Sequence, residues 1–187
     1  RSRRQRQMCI ETGAKKGAML TCMCFGVKPE EFPFVPGETL DLAVTLEARE
    51  FRGEAQLTVS VREAKLSGLD MDQCIHTYRV YEKLQRGEAL SREEGEELLP
   101  TRQDLAALYR KLASLKGAAF GFQSLLGALP GFNLGKLLLC LEMLQERRLI
   151  ALLGGEQRKT AELLPTQGKV DIFASPVYGR AKQLAEN

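Results

Sequence analysis

The chain has 187 residues, 44% of them hydrophobic and 27% charged, with a net charge of +3 from 27 basic and 24 acidic side chains. That composition belongs to a folded globular chain long enough for one large or two small domains, and no apolar run approaches the ~18 residues that a membrane span requires. Divided after Asp70, the charges fall as 11 basic and 10 acidic, then 16 and 14. A bulk-basic nucleic-acid domain is therefore excluded, and any such affinity must come from local patches.

Residues 1–66 alternate with a strand-like period. RQRQMCIE alternates weakly, TGAKKG is a turn bearing Lys15 and Lys16, and AMLTCMCF is a more apolar strand. Residues 26–38 hold three prolines, which argues for a loop rather than a central strand. Next, Leu40, Leu42, Val44 and Leu46 alternate with polar or small residues, and Leu57, Val59 and Val61 do so after Gly53. Two such runs joined by a Gly-bearing connection predict a β-hairpin. The expectation is four strands in a meander that must close on itself or pair with another strand to escape exposed edges. The start at Arg1, inside what reads as a strand, suggests a C-terminal piece of a longer protein.

From Leu69 the period becomes helical. Over 71–86, Cys74, Tyr78, Tyr81 and Leu84 lie roughly on one stripe. Ser91 with Glu94, and Thr101 with Asp104, have the capping-box spacing that opens two further helices. The second carries Leu105, Leu108, Leu112 and Leu115 and ends at Gly117. QSLLGAL is a short helix, and Asn133 caps one from Leu134 to about Arg147, with Leu134, Leu137, Leu138, Leu141 and Leu144 on its core face and Lys136, Glu142 and Glu146 outside. An apolar strand, a Gly-Gly turn and a second strand follow over 148–165, so the order helix, turn, helix, hairpin is that of a winged helix. The tail predicts an edge strand near Val170–Phe173 and a closing turn at Ser175-Pro176. The domains are thus 1–68 and 69–187, and the fold class is α+β: an antiparallel β unit, then an α-rich winged-helix-like domain.

The five cysteines, Cys9, Cys22, Cys24, Cys74 and Cys140, form no regular framework, which points to reduced thiols and a cytoplasmic location. Cys22-x-Cys24 supplies two ligands where zinc takes four, so both read as small core hydrophobes. No Gly-rich phosphate loop, G-x-S-x-G elbow or zinc signature is present. Cys74 and His76, two apart on a helix, do not face each other. The acidic run at 93–98 reads as a solvated face. No catalytic or metal-binding residue is assigned.

GETLDLAVTLEAREFRGEAQLTVSVREAKL, with LTCMCFG before it, is similar to the OB-fold segment of RecJ, the bacterial 5′→3′ exonuclease specific for single-stranded DNA. The turn is Glu50-Phe51-Arg52-Gly53 and the return strand holds Gln56-Leu57-Thr58-Val59. PTRQDLAALYRKL, LGKLLLCLEMLQERRLI and FASPVYGRAKQL resemble the extra C-terminal domain of RecJ proteins from Firmicutes-like bacteria. The Asp-rich and Asp-His-His motifs of the nuclease core are missing, so a divalent metal is expected only in a core outside this chain, and no cofactor within it. Glu50 stands where the family usually has Asn. The resemblance makes the first unit an OB-like antiparallel β-barrel whose first strand would lie before Arg1.

The resemblance implies a non-catalytic region that guides single-stranded DNA, with the enzyme's N-terminal nuclease core, single-strand-binding protein or other repair proteins as partners and no membrane. An OB barrel stacks bases on aromatics and runs phosphates along basic residues. Phe51 with Arg49 and Arg52 would do both, with Arg3, Arg4, Arg6, Lys15, Lys16 and Arg62 extending the track. Alternatively Phe51 folds over the barrel end and the charges form a solvated rim. Phe32 and Phe34 would plug the barrel bottom. In the second domain, Arg158 and Lys159 would touch a phosphate backbone. The helix after Asn133 offers one early lysine, too few donors to read base edges. A protein-docking module with a structural OB half is the alternative function, and a duplex-binding transcription factor a third.

Overall fold

Two short alternating runs and one long hairpin make up the first part of the chain: β1 (Gln7–Gly13), β2 (Met19–Phe25), β3 (Leu40–Phe51) and β4 (Glu54–Leu66). The coordinates are a computed structural model, which describes residues 7–13, 19–51 and 53–186. β1 pairs antiparallel with β2, and β3 with β4 from Leu40–Leu66 to Phe51–Glu54 with a bulge after Ala43. Gly53, at φ 81°, completes the tip turn, where an L side chain would be strained.

The expected meander is not formed. β2 runs parallel to β4, with Cys22 beside Val59, Met23 beside Ser60 and Cys24 beside Val61. The sheet order is β1-β2-β4-β3, and among the described residues it is open, with β1 and β3 at its edges. The Pro-rich segment permits this, because 14 residues between β2 and β3 suffice to reach across the sheet. It holds a 3-10 turn at Pro29–Glu31, and Phe32 meets Phe34 edge to face at 5.5 Å. Phe34 is buried, as are Cys22, Cys24, Val59 and Val61.

The chain divides into two compact units, Arg1–Gly68 and Leu69–Asn187. The second contains α1 (Met71–Arg86), α2 (Arg92–Leu98), α3 (Arg102–Ser114), α4 (Phe122–Gly127), α5 (Leu134–Glu146), the hairpin β5 (Ile150–Gly154) and β6 (Lys159–Leu163), and α6 (Pro176–Glu186). Its helix starts follow from local chemistry. Asp70 and Asn133 each accept from a backbone N–H three residues on, and Ser91–Glu94 and Thr101–Asp104 form reciprocal capping boxes. Caps of this kind contribute about 1 kcal/mol each.

α5 is the axis of this unit. Leu137, Leu139, Cys140, Leu141, Met143 and Leu144 are all buried, and a helix apolar nearly all round has to be enclosed. It packs against α1, α2, α4, α6 and β5. The single core face anticipated for it is therefore too narrow: Leu134 and Leu138 are only half-buried, whereas Leu139, Cys140 and Met143 are covered. The α1 stripe is also shifted. Cys74, Thr77, Val80 and Leu84 are buried, while Tyr78 is exposed and Tyr81 half-buried. Thr77 occupies the face because α5 approaches there at Gly135, whose N–H meets the threonine Oγ1 at 3.4 Å.

The tail departs from expectation as well. Residues 172–174 are a 3-10 turn rather than an edge strand, and Pro176 opens α6 rather than closing a turn. Proline suits the first helical turn, where its missing N–H would lack a partner in any case.

Candidate nucleic-acid interface

The two faces of the first unit's sheet differ in chemistry. Cys22, Cys24, Val59 and Val61 define one face. Val44 and Leu46 pair with Val61 and Val59 and so share it, yet Leu46 is 61% exposed because β3 is an edge. The opposite face carries Thr45 opposite Ser60 and Glu47 opposite Thr58, with Met23 beside Ser60. Arg62 is exposed on this polar face, and its Nε donates to Thr45 Oγ1 at 2.9 Å. That bond restrains the guanidinium. By alternation from the buried Cys24, Phe25 lies on the same face as Met23 and is 44% exposed.

An exposed ring and an anchored guanidinium on a hydroxyl-bearing sheet are the groups that stack bases and bind phosphate. Arg62 is thus placed on this face. Phe25 escaped the sequence reading, although the alternation in CMCF, with both cysteines inward, carried the signal. At the base of the same hairpin, Asp41 accepts from Ser67 Oγ at 2.9 Å and pairs with Lys65 at 3.2 Å. Those partners, Ser67 first, hold its carboxyl below the usual range.

The ladder places Arg49 opposite Gln56 and Phe51 opposite Glu54; the side chains of Arg49 and Phe51 lie outside the described set. So do Arg52, and Arg3, Arg4, Arg6, Lys15 and Lys16 in their entirety.

In the second unit, Phe120 and Lys159 exchange both backbone hydrogen bonds, at 2.8 and 2.9 Å, so the segment before α4 pairs with β6. Arg158 is half-buried, and its Nη2 donates to the Ala119 carbonyl at 2.9 Å. This contact ties the hairpin to the α3–α4 connection. Lys159 is half-buried beside it.

Glu146 is exposed, as expected, and Glu142 half-buried, and both bond to neighbouring elements. Glu142 accepts from Tyr81 Oη at 2.6 Å and from Gln85 Nε2 at 2.7 Å, which joins α1 to α5. Burial, and then the neighbouring Glu142, push the Tyr81 phenol well above its usual range. Glu146 accepts from Ser175 Oγ at 2.5 Å and Val177 N at 3.0 Å, so it caps α6. α1 and α6 are both docked on α5.

The acidic run on α2 is similarly engaged. Glu94 pairs with Lys83 at 2.5 Å, Glu96 with Arg92 at 2.9 Å and Glu97 with His76 at 3.2 Å. Among the described residues, no group of three or more His, Cys, Asp or Glu side chains is placed to hold a metal ion. Burial raises the thiols of Cys24, Cys74 and Cys140, which keeps them protonated and poor nucleophiles.

Compared with models of protein families, with curated proteins and with solved structures, the chain has no match in any of the three. Among the described residues, no helix is long and apolar enough to cross a membrane.

Proposed function

We propose that this chain is a non-catalytic region that binds single-stranded nucleic acid, built from an OB-like module and a winged-helix-like module. In particular, we propose that it is the C-terminal region of a RecJ-like 5′→3′ single-strand-specific exonuclease of the cytoplasm. There it guides DNA to a metal-dependent nuclease core and meets single-strand-binding or other repair proteins.

One observation carries this reading: the parallel pairing of β2 with β4 in the order β1-β2-β4-β3. In a five-stranded OB barrel, strands two to five take this order, with three and five parallel. A first strand set between the β1 and β3 edges would close the barrel and cover Val44, Leu46 and Leu57, which are 40, 61 and 59% exposed. The polar face with Phe25 and Arg62 is then the outer wall, where OB modules take single strands. In the second unit the order α3, Phe120 bridge, α4, α5, β5, β6 is that of a winged helix, and the enclosure of α5 argues against duplex readout by it.

The test is fluorescence anisotropy with a labelled single-stranded oligonucleotide, a matched duplex as competitor and a salt series. Preference for the single strand, with log affinity falling linearly in log salt, is expected. No single-strand binding at low salt by folded protein would refute the reading and leave the docking module in its place. That alternative draws on exposed Leu153 and Leu163 of the hairpin and Ile75 and Tyr78 of α1.

A further inference from the structure

In the second unit, α3 and the turn after α4 enclose an open groove of about 590 Å³. Arg102, Gln103, Ala107 and Arg110 of α3 line one side, and Pro130 and Phe132 the other. Arg102 and Arg110 are eight residues apart, so about 12 Å separates them along the helix at 1.5 Å per residue. The guanidinium of Arg102 sits over the Phe173 ring at 5.8 Å, which restrains it. Arg110 donates its Nε to the Ala106 carbonyl at 3.2 Å, which leaves its Nη groups for other partners. The one carboxylate in the lining, Asp104, is turned into the helix cap, accepting from Thr101 N at 2.8 Å and Thr101 Oγ1 at 2.9 Å. Two cations therefore flank the groove, and the one carboxylate in its lining is engaged in the helix cap.

We infer that this groove is a second contact for single-stranded nucleic acid, with Arg102 and Arg110 each taking a backbone phosphate and a base lying against Phe132. The inference rests on the proposed single-strand function and adds a site to it. Two arginines about 12 Å apart on one helix fit two phosphates of an extended strand with one phosphate between them, better than one compact anion. Ala107 between them keeps the wall low enough for a sugar and base to reach the apolar side formed by Pro130 and Phe132. Gln103 adds an amide that can both donate and accept, which suits a sequence-tolerant grip.

The test uses the whole chain, a labelled oligothymidylate of about 20 nucleotides, and two variants: the double change Arg102→Gln with Arg110→Gln, and the sheet change Arg62→Gln. The double variant should keep the wild-type melting temperature and bind on the order of tenfold more weakly at about 50 mM salt. Its slope of log affinity against log salt should be smaller by about 1.4, two phosphate contacts at roughly 0.7 each. Unchanged affinity and slope, with Arg62→Gln weakened, would overturn the groove and leave the proposed function standing. A loss in the double variant with Arg62→Gln unaffected would support the groove and sink the sheet as a site. Wild-type protein that binds no oligonucleotide refutes both. A polyglutamate peptide that binds wild type but not the double variant, while oligothymidylate binds both equally, would overturn the inference in favour of an acidic peptide.

Discussion

Replacing Gly135 by alanine tests the tightest approach in the second unit. A Cβ built on Gly135 meets the Thr77 carbonyl oxygen inside van der Waals contact, and Leu98 Cδ1 at 3.1 Å. The obstructing atom is helix backbone, so α1 and α5 would have to separate. Overpacking of that kind costs about 1–3 kcal/mol. Against it stands the helix preference for alanine over glycine, about 1 kcal/mol. Because α1 and α5 are further bound by the Glu142 contacts to Tyr81 and Gln85, separation also stretches those hydrogen bonds. The steric cost should win, giving a net loss of roughly 1–2 kcal/mol. Gly179 on α6 is the internal control, since its Cβ would meet nothing within 4 Å. There the same substitution should stabilise by about 0.5–1 kcal/mol. Thermal melts followed by circular dichroism would show opposite shifts, of about 4 °C per kcal/mol for a unit of this size. A Gly135→Ala protein as stable as wild type would refute the helix–helix geometry described for α1 and α5.

Three other outcomes are expected. Phe25→Ala and Arg62→Ala should each change stability by less than about 0.5 kcal/mol, as exposed positions do, while weakening single-strand binding measured by anisotropy; Phe25 should account for about 1–3 kcal/mol of it. Glu94, whose carboxyl is held below its ordinary range by Lys83 and then by the Ser91 backbone, contributes stability that is present above its unfolded value of 4.5 and lost as pH falls through the folded one. Glu94→Gln should therefore flatten that part of the acid limb in melting temperature against pH. Tyr81, raised above its ordinary value of 10, contributes stability present below pH 10 and lost above it. Tyrosine absorbance should show one of the four phenols titrating late, and Tyr81→Phe should remove that phase.

Features written within a few residues of sequence were legible, and those set by distant partners were not. The caps at Asp70, Ser91, Thr101 and Asn133 join groups three residues apart, so spacing alone reveals them. The β3–β4 hairpin is local in the same sense. The parallel β2–β4 pair is not, since nothing in the cysteine strand names Val59 and Val61 as neighbours 37 residues away. Thr77 hid the true face of α1 because its hydroxyl, which bonds the Gln73 carbonyl at 2.9 Å, disguises a core position as polar. Glu142, half-buried, misled in the same way, since its partners lie on another helix. At the candidate site, Arg62 stood out by charge, whereas Phe25 required knowing which way its strand faces. Ser175-Pro176 marked a break, but the closing turn expected there is the start of α6, because proline also suits a first helical turn.

Enclosure of α5 also sets how the second unit comes apart. A helix held by α1 through Glu142 and by α6 through Glu146 cannot lose either neighbour without baring its leucines to water. Partly opened forms are therefore costly, and the amide hydrogens of Leu139, Cys140 and Met143 should exchange with solvent only when the whole unit unfolds. The sheet of the first unit is open among the described residues, with β1 and β3 at its edges. Its edge amides should exchange by small local openings, so a single chain carries one rigid body and one that breathes.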